Sequence, residues 1–179
     1  MIRLVLFVSI ALVAASAVIF WVGRRLPAAH VVARTMLLKA PRESVYALVA
    51  DLPKAAGWRR DVESMEAFQS AAGETRYREK SRHGVLTYRL VSAEAPARVI
   101  TEIADDDAPF GGRWIIEFAE QSAGTRVTVT ERGIIYSAIF RLMARYVFGY
   151  HRTMETWLTD LALHFGETAS IQKATPANS

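Results

Sequence analysis

The chain has no cysteine, which excludes disulfides, thiolate metal sites and cysteine nucleophiles and leaves the redox compartment unmarked. Metal spacing is missing too. Of its four histidines, His30 lies in a short linker and His83 in a hairpin turn, where exposure is expected, and no His-x-x-x-His pattern occurs. His151 and His164 stand thirteen residues apart, roughly 220° around a helix at about 100° per residue, so one face cannot present both. The serines have no Gly-x-Ser-x-Gly context. Asp105, Asp106 and Asp107 lack the alternate spacing of a calcium loop, and Gly111-Gly112 is an isolated pair read as a turn. No metal and no cofactor is expected. The formal charge of +4 and pI near 9.6 come without a run of basic residues interleaved with aromatics, so nucleic acid is not an expected partner.

What the chain does have is apolar periodicity. From Ser137 to about Phe165, Ile139, Leu142, Met143, Tyr146, Val147, Tyr150, Met154, Trp157, Leu158, Leu161 and Phe165 recur three or four residues apart, which predicts one long amphipathic helix facing a core. Gly149 is its one internal glycine, and Gly166 sits where a C-terminal cap belongs. The opposite face carries Arg141, Arg145 and Arg152 with Phe148 among them, a set suited either to solvent or to anionic headgroups.

At the N-terminus, Leu4 to Val22 is a run of 19 residues that are apolar or Ser, about the length of a bilayer's hydrocarbon core. Ala15-Ser16-Ala17 would suit signal cleavage, but the apolar run continues through Trp21 and closes on Arg24-Arg25, as an anchor does. The expectation is therefore a single-pass membrane protein, with a transmembrane anchor over residues 1–25 and a linker over 26–30. Basic flanks place the following domain on the cytoplasmic side.

From Val31 the pattern alternates with period two through Leu38, a first strand. Pro41 then opens a helix carrying Val45, Leu48, Val49 and Leu52, which Pro53 ends before a turn with Trp58. Alternating segments at 62–69, 75–81, 85–93, 98–104, 113–119 and 125–135 are separated by short turns, which join only antiparallel neighbours. The tail over 167–179 is polar and reads as disordered.

This order, with APRESVYALVADLPKAAGW at 40–58 and GTRVTVTERG at 124–133, resembles the START-like or helix-grip superfamily (SRPBCC), including its polyketide cyclase/dehydrase and lipid-transport type. The resemblance covers residues 31–166. It implies an α+β helix-grip fold: a curved antiparallel sheet of six or seven strands wrapped on a long C-terminal helix, with two short helices after the first strand. It also implies a hydrophobic cavity between sheet and helix. Met143, Val147, His151, Met154 and Trp157 would line it from the helix, and Tyr88 and Trp114 from the sheet. The favoured function is membrane-anchored binding, or transfer, of a hydrophobic small molecule or lipid, with Arg141, Arg145 and Arg152 toward the membrane surface. Two alternatives stand beside it. One is a cyclase- or dehydratase-type enzyme using a cavity group, for which His151 is the candidate. The other is an interaction module whose interior Tyr146, Tyr150, Trp157 and Phe165 fill.

Overall fold

Alternation of side chains along seven successive strands dictates the architecture. In the computed structural model the backbone is described for residues 1–105 and 107–177, and side chains for these apart from Ile2, Leu4, Val5, Val8, Ala15 and Phe148. Asp106 of the acidic loop and the side chain of Phe148 on the arginine face thus lie outside what is described. After α1 (Ile2–Arg25) come β1 (Ala29–Leu38), α2 (Arg42–Ala50) and a 3-10 turn over Leu52–Gly57. The meander follows: β2 (Val62–Gln69), β3 (Thr75–Ser81), β4 (Gly84–Glu94), β5 (Arg98–Ile103), β6 (Phe110–Gln121) and β7 (Gly124–Ile135). Then come α3 (Ala138–Met143), a π-helical turn over Ala144–Phe148, α4 (Arg152–His164) and a short β8 (Gln172–Lys173).

The strands form one antiparallel sheet in the order β2-β3-β4-β5-β6-β7-β1-β8. The meander pairs each strand with its predecessor, and β1 closes onto β7 in the register Met36 opposite Val127 and Val32 opposite Glu131. The even-numbered residues of β1 therefore share a face with the odd-numbered residues of β7. Against that face lies α4, whose Met154, Trp157, Leu158 and Leu161 follow the i, i+3, i+4, i+7 spacing and are buried. They meet Met36, Leu38, Val99, Ile116, Phe118, Val127 and Val129, each at most 3% exposed, with Val45 and Val49 of α2 closing the same cluster. Asp160, buried on α4, accepts the Arg60 backbone N–H at 3.1 Å and its Nε at 2.5 Å, and so ties the helix to the chain entering β2.

Three expectations are revised. The long C-terminal helix is two helices. Gly149 takes φ +73° and ψ 151°, which no residue inside an α-helix adopts, and the π-helical turn before it shifts the side-chain phase. The stripe read as one face thus splits. Its second half is buried in α4, while Ile139, Tyr146 and Val147 are exposed. Gly149→Ala places a Cβ 3.0 Å from His151 Cε1 in a left-handed backbone. Its expected cost is about 1–3 kcal/mol, read as a lower urea midpoint at unchanged slope.

The membrane-spanning helix is not borne out: among the described residues, no helix is long and apolar enough to cross a membrane. With it fall the single-pass location and the cytoplasmic orientation drawn from the flanking arginines. The C-terminal end of α1 makes a protein contact instead. Gly23 is buried against α3 so closely that any Cβ there would collide with the Ala138 carbonyl.

The polar tail, read as disordered over 167–179, has a defined course as far as Ala177, the last described residue. Gln172 and Lys173 pair with Thr35 and Arg34 of the free edge of β1, and the Ala177 N–H donates to Thr130 Oγ1 at 2.9 Å. An unpaired strand edge offers backbone donors and acceptors that even a polar segment can satisfy.

Candidate functional site

The concave face of the sheet is divided. Register carries the inward face from β1 and β7 across β6 (Gly112, Trp114, Ile116, Phe118), β5 (Val99, Thr101, Ile103), β4 (Tyr88, Leu90) and β3 (Tyr77, Glu79). Under α4 this face is sealed. Toward the start of β1 it is not: His30, Tyr77, Tyr88, Thr101, Ile103, Phe110, Trp114 and Glu131 are all only half-buried although they point inward. The break at Gly149 explains the difference, because α3 lies against α1 and leaves this end of the sheet uncovered. Trp157 marks the boundary, packing edge-on against Trp58 at 5.3 Å and Trp114 at 6.0 Å between ring centroids.

Polar groups converge at the open end. Glu131 Oε1 lies 2.9 Å from His30 Nε2, and its other oxygen accepts the Trp114 Nε1–H at 2.9 Å. The His30 ring is stacked under Tyr150, with centroids 4.3 Å apart and planes 26° from parallel. Gly112 and Gly133 pair across β6 and β7, so the wall beside His30 is bare backbone. A Cβ at Gly133 would run into the His30 ring. A groove of about 650 Å³ at the strand ends is bordered by His30, Ile103, Gly112 and Gly133 of the inward face but mainly by residues of the outward parity, among them Ala29, Val31, Glu102, Arg113, Arg132, Ile134 and Tyr136, so it lies around the sheet's end rather than within the concave face.

A second polar group lies across the concavity. Glu79, only 3% exposed, accepts two hydrogen bonds from Arg59, at 2.5 and 3.3 Å, and Asp61 is 3.6 Å from the same guanidinium. Burial raises the Tyr88 phenol well above its ordinary pKa, and the charge of Glu79 adds to this while Arg59 opposes it. Tyr88 thus keeps its proton and stands in the wall as a neutral hydroxyl. Among the described residues, no group of three or more His, Asp or Glu side chains converges where a metal ion could be held.

Residues 29–160 match the family described as polyketide cyclase / dehydrase and lipid transport. The chain belongs to that family. No curated protein matches it, but solved structures share the fold of this polyketide cyclase / dehydrase and lipid-transport member. A conserved protein from Geobacillus kaustophilus is 11% identical with a TM-score of 0.64, over 80% of this chain and 99% of that one. A START superfamily protein from Mycobacterium smegmatis is 14% identical with a TM-score of 0.57, over 74% and 94%. The di-domain ARO/CYC BexL from the BE-7585A biosynthetic pathway is 19% identical with a TM-score of 0.52, over 92% of this chain and 55% of its own.

Within this family member the residues singled out from sequence scatter. Tyr88 and Trp114 are in the open half, and Trp157 forms its boundary. Met154 is fully buried in the sealed half. Met143 is half-buried and Val147 exposed on the segment that turns away, while His151 is 44% exposed and 4.0 Å from Glu155. Arg141 is engaged by backbone, donating to the carbonyls of Ile135 at 2.7 Å and Tyr136 at 3.2 Å. Arg145 is exposed, and Arg152 borders a separate groove of about 410 Å³ with Arg60 and Glu155 on the outer side of α4. Sequence reading missed His30, Glu131, Gly112 and Gly133. His30, taken as a linker residue, is inside β1. Its parity was the available signal, because it continues the series Val32, Arg34, Met36 and Leu38.

Proposed function

We propose that the chain binds a hydrophobic small molecule in the open half of the concave face, with the ligand's apolar body against Trp114, Trp157, Ile103 and Leu90 and its polar end toward His30, Glu131 and Tyr88. The observation that carries this reading is the division of one sheet face into a sealed half and an open half lined by aromatics. A folded chain leaves such a surface unfilled at a cost, and a ligand removes it from water with a gain of about 2.5 kcal/mol per 100 Å² of apolar area. Membership of a family described by cyclisation, dehydration and lipid transport supports it. Against the filled-interior alternative, Tyr146 is exposed and Tyr150 lies over His30 at the open end rather than filling the space under α4.

Native mass spectrometry of the full chain, mixed with a panel of fatty acids, sterols and polycyclic aromatics, tests the proposal. One equivalent of at least one class should be retained at saturation. Only graded, non-saturating adducts across the whole panel would sink it.

A further inference from the structure

We infer that the groove on the outer side of α4 is an oxyanion site, which holds the phosphoryl group of an organic phosphate monoester between Arg60 and Arg152. It is separate from the concave face. Arg152, Glu155, Thr156 and Thr159 recur at i, i+3, i+4 and i+7, so they form one stripe of the helix, turned away from the stripe of Met154, Trp157, Leu158 and Leu161 that the core buries. Arg60, from the chain entering β2, and Ile171, from the tail, complete the border of a space of about 410 Å³.

Arg60 is held in place for such a task. Its side chain is 61% exposed, yet its Nε is bound at 2.5 Å by Asp160, which is 1% exposed, and the same carboxylate accepts the Arg60 backbone N–H at 3.1 Å. Burying a carboxylate is costly, and this one serves a single arginine. The bond to Nε fixes the plane of the guanidinium and leaves its two terminal nitrogens, a planar fork of donors that suits two oxygens of one anion. Among the described residues, the hydrogen bonds of Arg60 end at Asp160.

The charge balance favours an anion. Glu155 is the one acidic side chain bordering the groove among the described residues, and it is already engaged by Arg34, whose Nε donates to it at 2.7 Å. Asp160 offsets Arg60. Arg152 is exposed and has no carboxylate within ion-pair distance among the described residues, so one positive charge is left uncompensated. Thr156 is exposed beside it and adds a hydroxyl donor, whereas the Thr159 hydroxyl already donates to the Glu155 carbonyl at 2.7 Å. The Arg60 fork alone satisfies the two oxygens of a carboxylate. A phosphoryl group has a third oxygen for Arg152 and Thr156, and Ile171 gives the rest of an ester an apolar wall.

The test titrates phenyl phosphate, inorganic phosphate and benzoate into the full chain at low salt and about pH 7.5, where a phosphate monoester is close to dianionic, followed by two-dimensional amide NMR. Phenyl phosphate should saturate, with shifts centred on Arg60, Arg152, Thr156 and Ile171, and should bind about tenfold tighter than benzoate and severalfold tighter than inorganic phosphate. Arg152→Gln alters an exposed side chain and should weaken phenyl phosphate about tenfold, the range of one charge-assisted hydrogen bond. Arg60→Lys keeps a charge for Asp160 but has no fork, and should weaken it by a similar factor. Arg145→Gln, an exposed arginine outside the groove, should leave the affinity within about twofold.

An equal loss in Arg145→Gln overturns the inference, as do non-saturating shifts spread over the surface arginines, because surface charge would then be the whole effect. Full affinity in Arg152→Gln overturns it as well. Benzoate binding as tightly as phenyl phosphate overturns the phosphoryl assignment, and inorganic phosphate doing so overturns the ester.

Discussion

Arg59→Met is expected to lower the unfolding free energy by about 3–5 kcal/mol, the largest single effect outside the hydrophobic core. Glu79 sits on the inward face of β3 with 3% exposure, and both of its oxygens are held by the Arg59 guanidinium. Methionine fills similar space but cannot donate, so the carboxylate would be left buried without a counter-charge. Such a group costs far more than the pair contributes when intact. The double substitution Arg59→Met with Glu79→Gln removes the charge as well as its partner and should recover a good part of the loss. A double-mutant cycle by urea unfolding measures the coupling. A loss under about 1 kcal/mol for Arg59→Met would place Glu79 in water rather than in the concavity.

Gly133→Ala should have the largest effect on binding of any single methyl addition. Its Cβ would collide with His30 at Cε1 and Nε2 and approach Glu131 Oε1 to 3.1 Å. The histidine ring is the movable party, but moving it breaks the bond to Glu131 and the stack under Tyr150 together. The expected outcome is a loss of up to about tenfold in affinity for naphthol, a polycyclic aromatic of the ligand panel, about 1.4 kcal/mol, with a smaller loss of stability because the β6–β7 backbone is kept. Titration of the variant beside the unaltered chain checks it. Unchanged affinity would mean that His30 plays no part in the site.

The strands were legible because period-two alternation is a local property, and the segment boundaries fall at glycine, proline and aspartate turns that sequence displays directly. The same rule applied one pair of residues earlier would have carried β1 back to His30. Trp114 and Glu131 meet across a tight hairpin whose register the Ser122-Ala123 turn fixes locally. His30 could not be brought to Glu131 that way, because it reaches it only through the β1–β7 register, 101 residues along the chain. The break at Gly149 was hidden for another reason: the apolar stripe continues through it, and one glycine inside a strong stripe is ordinarily absorbed by a helix. Here tertiary packing uses it in a left-handed conformation, and the stripe serves two helices with different neighbours. The N-terminal run was read from composition alone, which takes no account of the close approach of Gly23 to Ala138.

The charged residues on the arginine face illustrate the same limit. Arg141, assigned a surface role by helical projection, spends its guanidinium on the carbonyls that end β7. Gly112, read as part of a turn, is a strand position paired with Gly133, where the lack of a side chain leaves bare backbone beside His30. In both cases the residue type was plain and its neighbours were not.

The most direct measurement is a set of intermolecular NOEs between bound naphthol and the full chain in solution. Cross-peaks from naphthol to the Trp114 indole, the Tyr88 ring and the methyls of Ile103 are the predicted result, because these side chains form the wall of the open half. Cross-peaks confined to Ile139, Tyr146 and Val147, the exposed apolar residues of the segment that turns away, would contradict a binding site on the concave face.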